Sequence, residues 1–81
     1  MTNKDFNTIL CNRIAQLRKQ HKLTLEQLAY QSDISKGGLS EIERCKKEPR
    51  AFTINKICSG LGIKMKEFFD FPELDEFTNR L

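Results

Sequence analysis

Cationic and hydroxyl side chains are concentrated in the segment DISKGGLSEIERCKKEPR, residues 33–50. Such groups donate hydrogen bonds to phosphate oxygens, so this composition suits a polyanionic partner. The net charge of +3 is too small to identify that partner by itself. Its distribution says more, because residues 12–50 hold nine Lys or Arg against five Asp or Glu, whereas residues 67–81 hold one Arg against five acidic residues. A basic body therefore carries an acidic tail.

The residue types needed for catalysis or metal binding are scarce. His21 is the single histidine, and no serine or cysteine has a recognisable base partner. Cys11, Cys45 and Cys58 lack the C-x-x-C spacing of a zinc site and are predicted to be free thiols, with a redox role of Cys45 as a minor alternative. We therefore predict no enzymatic activity, no metal and no cofactor.

The spacing of apolar residues predicts helices along the whole chain and no strand. A first helix over residues 5–21 has one apolar face, formed by Phe6, Leu10, Ile14 and Leu17. Thr24 is a suitable N-cap for a second helix, LEQLAYQ, with Gln27 completing a capping box. Ala29 is expected to be buried there together with either Leu25 or Leu28.

A turn separates this helix from a third helix over about residues 36–44. Asp33 fits the turn because Asp tolerates a positive φ, and Ser35 is a good N-cap for the helix that follows. Leu39 and Ile42 form its narrow apolar stripe, which leaves the other positions free to face outward.

The rest of the chain reads as two further helices and a helical tail. A fourth helix ends at Gly62, a fifth short one lies in KMKEFF, and an apolar stripe follows Pro72. We therefore expect an all-α fold, with a compact five-helix domain over residues 1–70 and a tail over residues 71–81. No apolar run is long enough to span a membrane and no secretion signal is present, so a cytoplasmic protein is expected.

Residues 13–69 resemble the Xre/Cro family of prokaryotic and phage repressor DNA-binding domains. The matching pieces are IAQLRKQHKLT, LEQLA, ISKGGLSEIER, Pro49, and INKICSGLGI followed by EFF. This resemblance covers about two thirds of the chain and implies a repressor-like fold in which helices 2 and 3 form a helix-turn-helix.

The resemblance implies that the third helix enters the major groove of double-stranded DNA. The residues expected to read bases are Ser35, Lys36, Gly37, Ser40 and Glu41. The residues expected to hold phosphates are Thr24, together with the amides of the second helix, and Arg44, Lys46, Lys47 and Arg50. Arg18 and Glu43 occupy the positions at which the family commonly has an ion pair that fixes the third helix.

Five positions depart from the family pattern or from helix propensity, and one of them is Asp33, which stands where the family often has Gly. Leu25 replaces a Gln that often braces a phosphate, and Cys45 replaces the Gly that usually ends the third helix. Because Cys is poorly suited to a left-handed conformation, we expect a differently shaped helix end. Gly37 and Gly38 weaken the start of that helix but allow its unpaired amides to approach DNA closely.

The leading prediction is a sequence-specific transcriptional regulator that acts as a repressor, binding a palindromic operator as a homodimer. The tail residues Leu74, Phe77 and Leu81 either pack on their own domain or form a dimer or partner surface. The alternatives are an antitoxin whose tail binds a toxin, a restriction-modification controller, and a protein-interaction module that has lost operator reading.

Overall fold

The computed structural model describes residues 2–81, which form six helices and no strand. The helices are α1 (Asn3–Gln20), α2 (Leu25–Gln31), α3 (Lys36–Glu43), α4 (Ala51–Leu61), α5 (Met65–Phe68) and α6 (Pro72–Asn79). The predicted all-α fold of five helices and a helical tail is confirmed. Within residues 2–81, no helix is both long enough and apolar enough to cross a membrane.

Helix α1 begins two residues earlier than its apolar face predicts, because Thr2 and Asp5 form a capping box. The backbone N–H of Asp5 donates to Thr2 Oγ1 at 3.1 Å, and that of Thr2 donates to Asp5 Oδ2 at 3.0 Å. These bonds satisfy amides that have no partner inside the helix.

The core lies where α1 to α5 meet. Its largest fully buried side chains include Ile14, Leu28, Leu39, Ile57 and Phe68. In α2 it is Leu28, together with Ala29, that faces this core, whereas Leu25 is only half-buried. Each of the first five helices thus contributes a narrow apolar face and leaves its other side to solvent.

Helices α2 and α4 approach closely at Gly60. A Cβ at this position would lie 2.9 Å from the backbone nitrogen of Ser32, 3.0 Å from the carbonyl carbon of Gln31, and against the Ser32 hydroxyl as well. A side chain at this position would have to push the backbone of α2 away from α4, so the native arrangement requires glycine. The close approach fixes α2, the first helix of the predicted helix-turn-helix, on α4.

The tail packs back on α1. Phe77 is 6% exposed, and its ring centroid lies 5.4 Å from that of Phe6. The Phe77 ring therefore packs on its own domain, which is one of the two arrangements that the sequence leaves open for the tail. Leu74 is half-buried, and Leu81 is 82% exposed.

Arg13 ties α1 to the segment that leads into the tail. Its Nε donates to the carbonyl oxygen of Phe68 at 2.8 Å and its Nη2 to that of Glu67, also at 2.8 Å. The guanidinium carbon lies 4.8 Å from the ring centroid of Phe71, in cation–π geometry. Residues 71–81 therefore extend the same packed body instead of projecting from it.

Candidate nucleic-acid interface

The turn between α2 and α3 is a Schellman motif. Asp33 has φ 55°, the N–H of Ile34 donates to the carbonyl of Ala29 at 2.9 Å, and the N–H of Asp33 donates to that of Tyr30 at 3.3 Å. The predicted positive φ at Asp33 is confirmed. The motif turns the chain within a few residues and sets the angle at which α3 leaves α2.

Helix α3 exposes one face and buries a narrow stripe. Leu39 and Ile42 are buried, as the sequence predicts. Of the residues expected to read bases, Ser35, Lys36 and Gly37 are exposed, while Ser40 and Glu41 are half-buried. The structure therefore places Ser35, Lys36 and Gly37 at the exposed start of α3, with Ser40 and Glu41 further along the helix and only partly accessible.

The two glycines of α3 have different surroundings. A Cβ on Gly37 would meet no atom within 4 Å, so this position faces open space. A Cβ on Gly38 would lie 2.9 Å from Ser35 Oγ, which accepts the capping hydrogen bond from the Gly38 N–H at 3.0 Å. Gly38 thus protects the helix cap, whereas Gly37 leaves a gap on the exposed surface.

The end of α3 differs from what the cysteine predicts. Cys45 has φ 60°; its N–H donates to the Ile42 carbonyl at 3.0 Å, and the N–H of Lys46 donates to the Glu41 carbonyl at 2.8 Å. The expectation of a differently shaped helix end was therefore wrong, since this is the Schellman geometry that glycine usually provides. Hydrogen bonds to two helix carbonyls hold the backbone of Cys45 in a left-handed conformation that residues with a Cβ do not favour.

An ion pair joins the end of α3 to α1. Arg18 Nε donates to Glu43 Oε2 at 2.8 Å and Arg18 Nη2 donates to Oε1 at 3.1 Å, with the two side chains 15% and 9% exposed. Two parallel, charge-assisted bonds fix distance and angle together. The contact fixes the orientation of α3 relative to α1 and leaves the solvent-facing side of α3 free.

Two charged residues of the predicted base-reading set already have partners. Lys36 Nζ lies 2.9 Å from Glu26 Oε1 on α2, and Glu41 Oε1 lies 3.7 Å from Lys47 Nζ. The hydrogen bond and the charge of Lys36 lower the pKa of Glu26 below its ordinary value. Sequence reasoning missed Glu26, because a pair of residues ten positions apart on two helices has no local signature.

The residues expected to hold phosphates surround α3. Thr24 and Gln27 form the predicted capping box: the N–H of Thr24 donates to Gln27 Oε1 at 2.8 Å, and the N–H of Gln27 donates to Thr24 Oγ1 at 3.1 Å. The backbone amides of Leu25 and Glu26 take no part in these two bonds. Arg44, Lys46, Lys47 and Arg50 are all exposed.

Lys56 is a further cation that the sequence did not single out. It lines a groove of about 370 Å³ between α3 and the start of α4, together with Lys47 and Arg50. Its Nζ donates to the Asp33 carbonyl at 3.4 Å, so it also braces the turn. Among residues 2–81, no three His, Cys, Asp or Glu side chains cluster as metal ligands would.

Curated proteins similar to this chain are transcriptional regulators and a phage repressor. The HTH-type transcriptional regulator SutR of Escherichia coli K12 is 34% identical over 64 residues, which are 79% of this chain and 36% of that protein. The immunity repressor protein of Bacillus phage phi105 is 38% identical over 53 residues, which are 65% of this chain and 37% of that protein. The chain thus spans little more than a third of the length of these relatives.

Solved structures share the arrangement of helices. An HTH_3 family transcriptional regulator from Vibrio cholerae matches with a TM-score of 0.79 and 35% identity, over 84% of this chain and 38% of that one. The restriction-modification controller protein C.Esp1396I matches with a TM-score of 0.77 and 25% identity, over 90% and 92% of the two chains. The HTH_3 helix-turn-helix family model matches residues 14–68, from the middle of α1 to the end of α5. This match confirms the resemblance to Xre/Cro domains. Because it covers more than half of the chain and includes the capped α2 and α3, this chain belongs to the helix-turn-helix family.

Proposed function

We propose that this chain is a sequence-specific, double-stranded DNA-binding transcriptional regulator that represses by occupying an operator. The observation that carries the proposal is the asymmetry of α3, which buries Leu39 and Ile42 and presents Ser35, Lys36 and Gly37 to solvent. An α-helix fits the major groove, and the residues near its N-terminus reach base edges. The Arg18–Glu43 pair holds that helix at a fixed angle.

Base reading falls to few side chains. We assign to Lys36 a hydrogen bond to guanine O6 or N7, to Ser40 a bond to either kind of base, and to Glu41 a bond from cytosine N4. Lys36 and Glu41 exchange their protein partners for bases on binding, and exposed ion pairs of this kind contribute little to stability. Gly37 adds no contact of its own, so DNA shape carries a larger share of the specificity.

Phosphate contacts position the domain without selecting a sequence. The free amides of Leu25 and Glu26 at the start of α2 lie on one side of α3, and the cations that follow α3 lie at its end: Arg44, Lys46, Lys47 and Arg50. The negative charge of the Glu26 carboxylate repels a phosphate bound at the start of α2. We therefore assign most of the phosphate binding to the cations after α3.

We also propose that two copies bind a palindromic site, with half-sites about 34 Å apart. Support comes from the small reach of one α3, since a single helix addresses few base pairs. The Phe77 ring packs within its own domain, whereas Leu81 on the same tail is 82% exposed and remains available for a dimer contact. Sedimentation of the protein with its selected duplex tests this point, and a complex with one protein copy per duplex would contradict it.

A salt titration of duplex binding tests the function itself. Each neutralised phosphate contributes about −0.9 to the slope of log K against log salt, so four cations predict a slope of about −3 to −4 per protein copy. Lys47→Ala should make this slope shallower by about 1. Lys66→Ala is its matched control and should leave the slope unchanged, because this exposed lysine on α5 lies outside α3 and the loop after it. Selection of bound duplexes from a random pool then reports whether a sequence is read.

The competing candidate is a protein-interaction module that has lost operator reading. It is favoured by the open position at Gly37 and by the two ion pairs that occupy Lys36 and Glu41. Such a module would show no appreciable duplex affinity at any salt concentration. Within the regulator class, the match to C.Esp1396I over 92% of its length supports a restriction-modification controller as a specific form. No contact in the structure favours an antitoxin over these.

A further inference from the structure

A hydrogen-bonded ion pair joins the starts of the two helices of the helix-turn-helix. Lys36 is the first residue of α3, and Glu26 is the second residue of α2. Lys36 Nζ donates to Glu26 Oε1 at 2.9 Å, and the two side chains are 59% and 72% exposed. The cation that we assign to guanine is therefore bound to a carboxylate in the free protein.

The helix ends favour this pairing. The start of a helix carries a partial positive charge, which stabilises Glu26 in the first turn of α2 and disfavours Lys36 at the first position of α3. Helix α3 has no acidic residue in its own first turn. Glu26 thus supplies, from the neighbouring helix, the negative charge that Lys36 lacks on its own.

The second ion pair of this surface is looser. Glu41 Oε1 lies 3.7 Å from Lys47 Nζ, which is beyond hydrogen-bond distance. Lys47 can therefore turn to a phosphate without losing a hydrogen bond. Lys36 differs, because it must break a charge-assisted hydrogen bond before it can bind any new partner.

We propose that Glu26 is a specificity-determining residue, because it keeps Lys36 away from phosphates and releases it to guanine. This inference rests on the proposed function. Guanine presents two acceptors, O6 and N7, at one edge of the major groove, and a good contact to both outweighs an exposed ion pair. A phosphate only replaces one anionic partner of Lys36 by another, and it leaves the Glu26 carboxylate unpaired beside the DNA.

The pair therefore acts differently on two kinds of duplex. On a duplex that lacks the guanine, Lys36 stays with Glu26 and adds nothing to the release of counterions. On the selected duplex, Lys36 leaves Glu26 and reads the base. Glu26 thus lowers affinity for all duplexes, but it lowers affinity most for those with the wrong sequence.

Salt titration of Glu26→Gln and of the wild type, on the selected duplex and on a scrambled one, tests this proposal. On the scrambled duplex, the released Lys36 becomes a new phosphate contact and should steepen the slope of log K against log salt by about 0.9. The selected duplex should gain less affinity than the scrambled one. The ratio of the two affinities should therefore fall about threefold at about 0.1 M salt.

Two controls separate the ion pair from the charge alone. In a Lys36→Ala background, Glu26→Gln should leave the salt slope on the scrambled duplex unchanged, because no lysine is released. Glu73→Gln removes the same charge from α6 and should leave the ratio of affinities unchanged.

The pair itself is tested without DNA, by NMR titration of the Glu26 carboxyl. The hydrogen bond and the charge of Lys36 lower the pKa of Glu26, so Lys36→Ala should return it towards its ordinary value. An unchanged pKa of Glu26 in that variant, or equal gains of Glu26→Gln on both duplexes, would overturn the proposal and leave DNA binding by the wild type intact. A wild type that binds no duplex at any salt concentration would overturn the proposed function as well.

Discussion

Arg18 binds both carboxylate oxygens of Glu43, at 2.8 and 3.1 Å, and also donates from Nη1 to the carbonyl of Leu23 at 2.9 Å. One guanidinium thus joins α1, the loop after it and the last residue of α3. Because the pair is mostly buried, its loss leaves a charge with poor solvation.

Glu43→Gln is expected to lower the free energy of unfolding by about 2 kcal/mol, somewhat less than the loss of a fully buried pair. Urea denaturation measures this value. Glu41→Gln is the matched control on the same helix, and its exposed contact with Lys47 predicts a change within about 0.5 kcal/mol. Equal effects of the two substitutions would contradict the structural role assigned to Arg18.

The glycines of α3 predict opposite outcomes for the same substitution. Gly37→Ala should stabilise the fold by about 0.5–1 kcal/mol, because the site is open and alanine favours the helix. Gly38→Ala should bring no such gain, because its Cβ displaces the Ser35 hydroxyl and weakens a cap that is typically worth about 1 kcal/mol. Thermal unfolding of both variants measures the difference, and a more stable Gly38→Ala variant would refute this account.

Cys45→Gly is expected to stabilise the fold by about 1 kcal/mol relative to Cys45→Ala, because only glycine adopts the left-handed conformation without strain. For a domain of this size, that difference raises Tm by about 4–8 °C. Cys45→Ala is the matched control, since it removes the thiol and keeps the Cβ. Indistinguishable Tm values would show that φ 60° carries no strain here.

Lys36→Ala should change base preference at one position of each half-site, with a loss of discrimination of about 1–3 kcal/mol. Lys47→Ala should instead weaken all duplexes alike and reduce the salt slope by about 1. Duplex selection with each variant, followed by titration of the selected and a scrambled site, separates the two effects. An unchanged selected motif for Lys36→Ala would remove Lys36 from the base-reading set.

Glu26→Gln should raise affinity for every duplex, because it removes a carboxylate from the start of α2 and releases Lys36 from its ion pair. The gain should shrink as salt is added. Fluorescence anisotropy with a scrambled duplex measures it, and Glu73→Gln on α6 is the control that changes the same charge on another helix. A lower affinity of Glu26→Gln would mean that Glu26 supports binding by orienting Lys36.

Much of this fold could be predicted from local sequence. The capping boxes and caps at Thr24 and Ser35 involve residues three apart, and the apolar spacing of each helix is a local pattern. The turn at Asp33 follows from the conformational tolerance of that residue type. These signals set the helix bounds to within a few residues.

Two of the features that sequence reasoning missed depend on contacts across the fold, and the third depends on local backbone hydrogen bonds. Phe77 is buried because Phe6, far away in the chain, provides a ring for it to pack against. Lys36 meets Glu26 only once α2 and α3 are folded together. The preference of Cys45 against a left-handed conformation is overcome by two backbone hydrogen bonds. The conformational propensity of a single residue includes neither kind of contact.

The close approach at Gly60 has a consequence for genetic screens. A side chain at this position pushes against the backbone of Gln31 and Ser32 and so tilts α2, with the turn and α3 attached to it. A screen for loss of operator occupancy should therefore recover substitutions at Gly60 as readily as substitutions on α3. Such variants should remain folded at low temperature and still fail to bind DNA. A screen of this kind would therefore wrongly count Gly60 among the residues that contact DNA.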